Sequence, residues 1–383
     1  MDVVSSKSEL PARGGAMLVN VQALRALAAF LVVFVHIDVL ARLCGFPANS
    51  TAFGNAGVDL FFVISGLIMV VTTAEKPQPA YEFIRGRITR IVPLYWTITL
   101  IVVAIALLAP TLLQSTTAGP REILDSLAFI PYQRPDGAVH PIVFVGWTLN
   151  YEMLFYLIFS IGMLLPKRTL GLWFVLIVLA VAAIAGLILH PANTIGAFYT
   201  APIILEFGAG ICLGLMLTSR RFSNSRHVRY PAIVVAIVAF GFMLAGPTLW
   251  PNLDRAWSAG IPAFLIVGSA LALEISGIKL NAKWLQLLGA ASYSIYLTHF
   301  FVTQVFAKIA LHLSRFGIPI IIAIGVGAFA VVALVGIVAH LRLELPLTMI
   351  ARQLTKRRPM LEPSMGIGEG EEAPPTLVQN ISS

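Results

Sequence analysis

LGLWFVLIVLAVAAIAGLIL, residues 170–189, decides the class of this chain. These consecutive residues carry no charged, amide or hydroxyl side chain, and as a helix rising about 1.5 Å per residue they match a hydrocarbon core of about 30 Å. A second run, IPIIIAIGVGAFAVVALVGIVA at 318–339, has no charge and is also long enough to span it. Working outward with windows of about 20 residues places further apolar spans near 20–41, 56–74, 90–109, 142–165, 197–217, 231–249, 258–275 and 285–311. Of the 383 residues, 58% are hydrophobic and 11% charged, against roughly 45–50% and 25% in a soluble domain. A soluble globular enzyme is excluded. The expected fold is all-α, a polytopic integral membrane helical bundle of about ten transmembrane helices.

Lysine and arginine number 26 and aspartate and glutamate 18, a net charge of +8. The basic residues punctuate apolar runs and form no stripe, which argues against nucleic acid as a partner. An even number of spans puts both termini on one side, and 20 of the 26 basic residues fall there. The positive-inside rule then makes both termini cytoplasmic. The first apolar run is too long for a signal-peptide core, contains Arg25 and His36 and precedes no A-x-A site, so it reads as a retained helix. Residues 1–17 are expected to be a disordered cytoplasmic segment and 346–383 a basic, then disordered, tail rich in Gly, Pro and Glu. That leaves 18–345 as one transmembrane domain. Cys44 and Cys212 have no C-x-x-C spacing and no histidine nearby, so neither a disulfide framework nor a metal site is expected.

Ionisable groups in hydrocarbon cost roughly 2.5–3.5 kcal/mol each on insertion scales, which makes those present functional candidates. In NVQALRALAAFLVVFVHID, Arg25 and His36 are eleven residues apart; at about 100° per residue they share a helix face some 16 Å apart. A lone histidine is usually a packed core residue, and the alignment with Arg25 tips the reading toward function. Asp59, in GNAGVDLFFVISGL, lies at a comparable depth. It either fixes the imidazole's tautomer or is a helix N-terminal carboxylate stabilised by the dipole. Ser65 and Gly66 read as close-packing residues. Arg85, Arg87 and Arg90 precede Pro93, Tyr95 and Trp96; their planar forks suit phosphate oxygens, the alternative being an orienting cluster capped by interfacial aromatics. VGWTLNYEMLFYLIF puts Thr148, Glu152 and Tyr156 on one face beside Trp147 and Asn150, with Glu152 either functional or in a structural ion pair. SYSIYLTHF does the same for Ser292, Tyr296 and His299, where helix-joining hydrogen bonds are the alternative.

The succession Arg25-x10-His36, GVDLFFVISG at 57–66, R-x-R-x-x-R-x-x-P at 85–93, WTLNYEMLFY at 147–156 and SYSIYLTH at 292–299 resembles the acyltransferase 3 family of bacterial membrane acyltransferases, in particular its exopolysaccharide-production O-acetyltransferases. The resemblance covers about residues 18–345, with the motifs in the family's order. It implies a multi-pass protein of the bacterial inner membrane that transfers an acyl group, usually acetyl, from cytoplasmic acyl-coenzyme A to a hydroxyl of a carbohydrate or lipid-linked glycan. Acyl-coenzyme A is then a co-substrate and no cofactor is held. The glycan, the bilayer and a polysaccharide biosynthesis complex are the implied partners. His36 takes the place of the family's essential histidine, Arg25 that of the arginine eleven residues before it, and Arg87 and Arg90 those of the arginine motif. Gly86 separates Arg85 from Arg87, so Arg85 matches less well.

Joined to the residues, this suggests that the arginines hold the nucleotide while the pantetheine arm rises along the Arg25 face toward His36. His36 would act as general base or as acyl acceptor. Asp59 or Glu152 would orient or balance it, and Tyr296 would donate to the developing oxyanion. The outer loop 110–141, with Tyr132, Gln133, Arg134, Asp136 and His140, would meet the acceptor. A succinyl donor stays open. A transporter with a midplane site is the rival from another class, but the spans show no evident repeat. A purely structural subunit would leave His36 and Glu152 without a purpose. Release of thiol from acyl-coenzyme A separates the enzyme from both.

Overall fold

The computed structural model describes residues 18–109, 118–219, 221–222 and 225–355; the expectations for 1–17 and 356–383, and for the start of the loop at 110–117, lie outside the described residues. Among the described residues there are fifteen α-helices and no strand. They are α1 (Val19–Val35), α2 (Asp38–Leu43), α3 (Ala56–Glu75), α4 (Ala80–Leu108), α5 (Pro120–Leu127), α6 (Trp147–Gly162), α7 (Arg168–Leu189), α8 (Thr194–Tyr199), α9 (Leu205–Thr218), α10 (Arg229–Leu249), α11 (Ile261–Ile275), α12 (Lys283–Ala290), α13 (Ser292–Leu313), α14 (Ile318–Ala339) and α15 (Leu345–Thr355). Eight helical segments are long and apolar enough to cross a membrane, and two shorter apolar ones are Val19–Val35 and Pro202–Thr218. The protein is an all-α polytopic membrane bundle.

The departures from uniform spans have local causes. The first run, read as 20–41, stops at Val35, because His36 takes φ −90° and ψ 4° and turns the chain toward α2. The run at 197–217 is broken ahead of Pro202, where Ala201 is extended at φ −65° and ψ 138°, as the proline ring demands of the residue before it. The run at 285–311 divides into α12 and α13 at Ala291. The two decisive runs form the single helices α7 and α14. On α7, Trp173, Ile177, Val181, Ile184 and Ile188 recur at helical spacing and are exposed, an apolar face of the kind a bilayer covers.

Helix α3 is the hub, packed on α9, α1 and α11. Its contact with α9 depends on two glycines. A Cβ added at Gly66 would overlap the carbonyl oxygen of Phe207, and one at Gly210 would overlap that of Val63, so the two backbones meet without side chains between them. Gly66→Ala is expected to lower the melting temperature in detergent by several degrees, since overpacking costs about 1–3 kcal/mol and the gain in helix propensity is only about 1 kcal/mol. Gly241→Ala on α10, which meets nothing within 4 Å, is the control and should leave stability unchanged or raised.

At the other end of the chain, α14 passes through a π-turn at His340–Glu344 into α15. Helix α15 covers the first part of what the sequence suggests is a tail, and Arg85 donates to the Thr355 carbonyl at 3.2 Å, tying it to the start of α4. The starts of α1 and α4 and the ends of α3 and α15 therefore share one end of the bundle, called proximal below; the opposite end is distal.

Candidate active site

A cavity of about 330 Å³ rises from the proximal end between α1, α3, α4, α6 and α13. Leu18, Thr72, Glu75 and Arg87 line its lower part, and Val58, Phe61, Thr148 and Tyr296 its upper part. The antiparallel run of α3 and α6 against α1 and α13 produces this vertical order: residues late in the first pair and early in the second stand at the mouth. Small-molecule sites span about 300–1,000 Å³, so the volume suits a narrow, extended ligand.

Arg25, Arg87 and Arg90 all line this cavity. Arg25 donates to Gln22 Oε1 at 3.0 Å and lies within electrostatic reach of Arg90, Glu344 and Glu152. The Arg87 guanidinium stands 5.4 Å from the Phe83 ring centre and 5.9 Å from that of Tyr156. Its Nε is buried without a hydrogen-bond partner, as is the hydroxyl of Ser292, which lines the cavity from α13. A buried donor without an acceptor costs about 1–3 kcal/mol, and both would recover that cost on an oxygen-rich ligand. Arg85 faces away from the cavity toward Thr355 and the Tyr81 ring. Glu152 sits on the cavity wall; its Oε1 accepts from Ser65 at 3.3 Å and from Tyr156.

The cavity ends at a small hydrogen-bonded ceiling. Tyr296 donates to the Val145 carbonyl at 2.8 Å, and the Thr148 hydroxyl is 2.8 Å from the Tyr296 oxygen. In this arrangement the Tyr296 proton is committed to backbone and is not free for an oxyanion. Beyond the ceiling the rings of Tyr296, His299 and His36 follow one another at centroid distances of 6.0 and 4.8 Å. His36 also meets Phe144 and Phe300 edge-on, each at 5.8 Å. Arg25 on α1 and His36 just past its end do not share the cavity, because the ceiling separates them.

Asp59 is not the partner of His36. Arg255 takes both its oxygens, Nε to Oδ1 at 3.1 Å and Nη2 to Oδ2 at 2.7 Å. The expected pairing fails because Asp59 points to α11 and the loop before it, whereas His36 turns toward α13 and lies 3.3 Å from His299. Trp147 packs edge-on against Tyr151 at 6.0 Å and does not line the cavity. On the distal side of Phe144, at 4.8 Å, lies the His140 ring; burial in the loop pushes its imidazole below the ordinary value, so at neutral pH it is uncharged.

Several polar groups at or near the site lie outside the residues singled out from the sequence. Glu344, at the end of the π-turn, accepts from Ser294 at 2.7 Å and pairs with His340 at 2.8 Å, and Glu206 lies buried beside Asp59 and Arg255. The signal was available: both are carboxylates in or at the end of apolar runs, the same criterion that selects Glu152. Gln22 and Tyr293 gave no such signal, because neither is ionised.

Residues 18–338 match the acyltransferase 3 family, described as an acyltransferase domain. The exopolysaccharide production protein ExoZ of Rhizobium meliloti (strain 1021) is 37% identical over 314 residues, 77% of this chain and 89% of that protein. Acyltransferase MdmB of Streptomyces mycarofaciens is 25% identical over 280 residues, 66% of this chain and 69% of that protein. No solved structure matches. The matched segment takes in the whole cavity and both histidines beyond its ceiling, and with that span the chain belongs to the acyltransferase 3 family of integral-membrane O-acyltransferases.

Proposed function

We propose that the enzyme transfers an acetyl group from acetyl-coenzyme A to a hydroxyl of an extracytoplasmic or lipid-linked glycan of the exopolysaccharide type, in the bacterial inner membrane with both termini in the cytoplasm. The observation that carries the reading is the arginine-lined cavity at the basic, proximal end, closed toward the histidines. Its volume of about 330 Å³ suits an acyl-pantetheine arm and is too small for the nucleotide as well. The phosphates therefore remain at the mouth, where Arg87 and Arg90 neutralise them. The glycan class is taken from the name of the ExoZ relative.

The chemistry asks for one proton acceptor. The sugar oxygen forms a bond to the thioester carbonyl carbon as its proton passes to the His36 imidazole; the carbon–sulfur bond breaks, and the departing sulfur recovers that proton. Before this, the Tyr296–Thr148 ceiling must part, since it stands between the cavity and His36. Phe144 and Phe300 meet the His36 ring edge-on and Phe61 meets that of Tyr296, giving the transfer an apolar surround.

The test is thiol release and label transfer from carbon-labelled acetyl-coenzyme A, with succinyl-coenzyme A in parallel, by detergent-purified protein supplied with host glycan. Arg87→Ala and Arg90→Ala are expected to raise the donor KM by about 10-fold to 100-fold, the cost of one charge-assisted hydrogen bond, with kcat within a few-fold of wild type. Unchanged donor KM in both variants would mean that the cavity is not the donor site.

A further inference from the structure

Hydrogen-bond valence settles which nitrogens of the two histidines carry protons. His36 Nδ1 lies 2.9 Å from the Val32 carbonyl oxygen. His299 Nδ1 lies 2.7 Å from the Tyr296 carbonyl oxygen and 3.2 Å from that of Ile295. A carbonyl oxygen only accepts, so both Nδ1 atoms must donate. In the neutral rings both Nε2 atoms then hold lone pairs. His299 Nε2 is 3.3 Å from His36 Nδ1 and can accept only from the proton that His36 Nδ1 already carries. The opposite tautomer of His36 would set its Nδ1 lone pair against two acceptors, Val32 O and His299 Nε2.

We propose that His299 is a positioning residue for His36: its Nε2 shares the His36 Nδ1–H with the Val32 carbonyl, fixes the ring's orientation, and leaves His36 Nε2 as the nitrogen that takes the sugar proton. The proposal rests on the reading of His36 as the base of acyl transfer. In triads of the serine-hydrolase kind a carboxylate holds the imidazole in this way. Here the carboxylate that the sequence suggests for that role, Asp59, is bound to Arg255, Asp38 is paired with Arg42, and the other rings around His36 are the phenyl groups of Phe144 and Phe300. A neutral imidazole as acceptor means that the pair passes from no charge to one positive charge when His36 Nε2 is protonated, with the Nδ1–H bond becoming charge-assisted as it does so. His299 itself is held from behind by two backbone carbonyls of its own helix, a rigid anchor that fixes its tautomer in turn. The Nδ1 protons stay in place throughout; the proton that moves enters and leaves at His36 Nε2.

The experiment compares wild type, His36→Ala, His299→Leu and His299→Gln as equally monodisperse detergent preparations. It measures kcat and donor KM, and reads the His36 tautomer from ring nitrogen resonances in 15N-histidine-labelled protein. Leucine removes the acceptor at similar size, while the glutamine Oε1 reaches the Nε2 position and can still accept. His299→Leu is expected to lose about 10-fold to 100-fold in kcat, the scale of one hydrogen bond to a group that becomes charged, with donor KM unchanged and the Nδ1–H signature of His36 shifted, since the Val32 carbonyl alone then accepts its proton. His299→Gln is expected to keep that signature and to recover most of kcat. A His36 ring carrying its proton on Nε2 in the wild type, or a kcat within twofold of wild type for His299→Leu while His36→Ala is inactive, would overturn the proposal. Wild-type transfer by His36→Ala overturns instead the base assignment on which the kinetic half depends, and the nitrogen resonances, which need no activity, tell the two failures apart.

Discussion

Replacing His36 by alanine is expected to reduce acyl transfer by about 10³-fold or more, the range for removing a general base or an attacking nucleophile, while the protein remains folded. The folding half follows from position. His36 lies just past the end of α1, where the helix has already stopped; alanine there removes the hydrogen bonds to Val32 and His299 and a few ring contacts and deletes no core side chain of the hub helix. The catalytic half follows from the site. On the distal side of the Tyr296–Thr148 ceiling, the imidazole next beyond Tyr296 and His299 is that of His36, while the Nε2 of His299 faces His36 and His140 lies on the far side of Phe144. Label transfer from acetyl-coenzyme A, normalised to monodisperse protein, measures the effect. Labelled donor without acceptor then separates the two roles of the ring: acyl label retained on wild-type protein and absent from His36→Ala marks a nucleophile, and its absence from both marks a base. Transfer within tenfold of wild type would return the chemistry to Glu152, the carboxylate that lines the cavity.

The fold was legible where a long apolar run is its own evidence. Residues 170–189 and 318–339 had one physical solution, and both are single helices. It was less legible where a backbone detail ends a helix inside an apolar run. The turn at His36 and the proline break before Pro202 both interrupt runs that hydropathy reads as continuous, because hydropathy averages over the residue that makes the break. The amphipathic helix α15 lies in the basic segment read from the sequence as the first part of a tail; its apolar side rests against the bundle through Leu347, a contact that no local pattern displays.

The cavity was legible to the extent that it is made of helix faces. Arg87 and Arg90 lie three residues apart on α4, and Glu152 and Tyr156 four apart on α6, so each pair was visible as a stripe, and all four line the cavity. Arg25 was found in the same way. The partners of His36 and Asp59 were not, because each stands on a distant helix or loop. His299 is 263 residues from His36 and Arg255 is 196 from Asp59. Depth matching from hydropathy put Asp59 and His36 at similar levels, and similar level was mistaken for adjacency; rotation about the helix axis, which packing alone decides, sends the two side chains to different neighbours.

That difference makes Asp59 the subject of a second large effect, on stability. Asp59 is fully buried, and its carboxylate is held by a two-pronged bond from Arg255, whose side chain is 39% exposed. Asp254 accepts from the Ala256 backbone N–H at 2.8 Å, shaping the turn from which Arg255 reaches inward. Glu206 lies beside the pair, with its Oε2 buried and unpartnered. Arg255→Leu would therefore leave one buried carboxylate without its cation and a second close by. The expected cost is about 3 kcal/mol, the low end for breaking a buried pair, because a partly exposed arginine gives up less on removal. Asp59→Asn should cost clearly less: the amide keeps the shape, and Arg255 retains the Asn55 carbonyl at 3.3 Å and its access to solvent. The double variant Asp59→Asn/Arg255→Leu should be more stable than Arg255→Leu alone, a sign of coupling that additive effects would not give. Thermal unfolding in detergent reads all three, and transfer per folded molecule should stay near wild type in Asp59→Asn, since Asp59 does not touch His36. Full stability of Asp59→Asn together with a hundredfold loss of transfer would instead mean that the carboxylate acts on the chemistry through a conformation in which Arg255 has let it go.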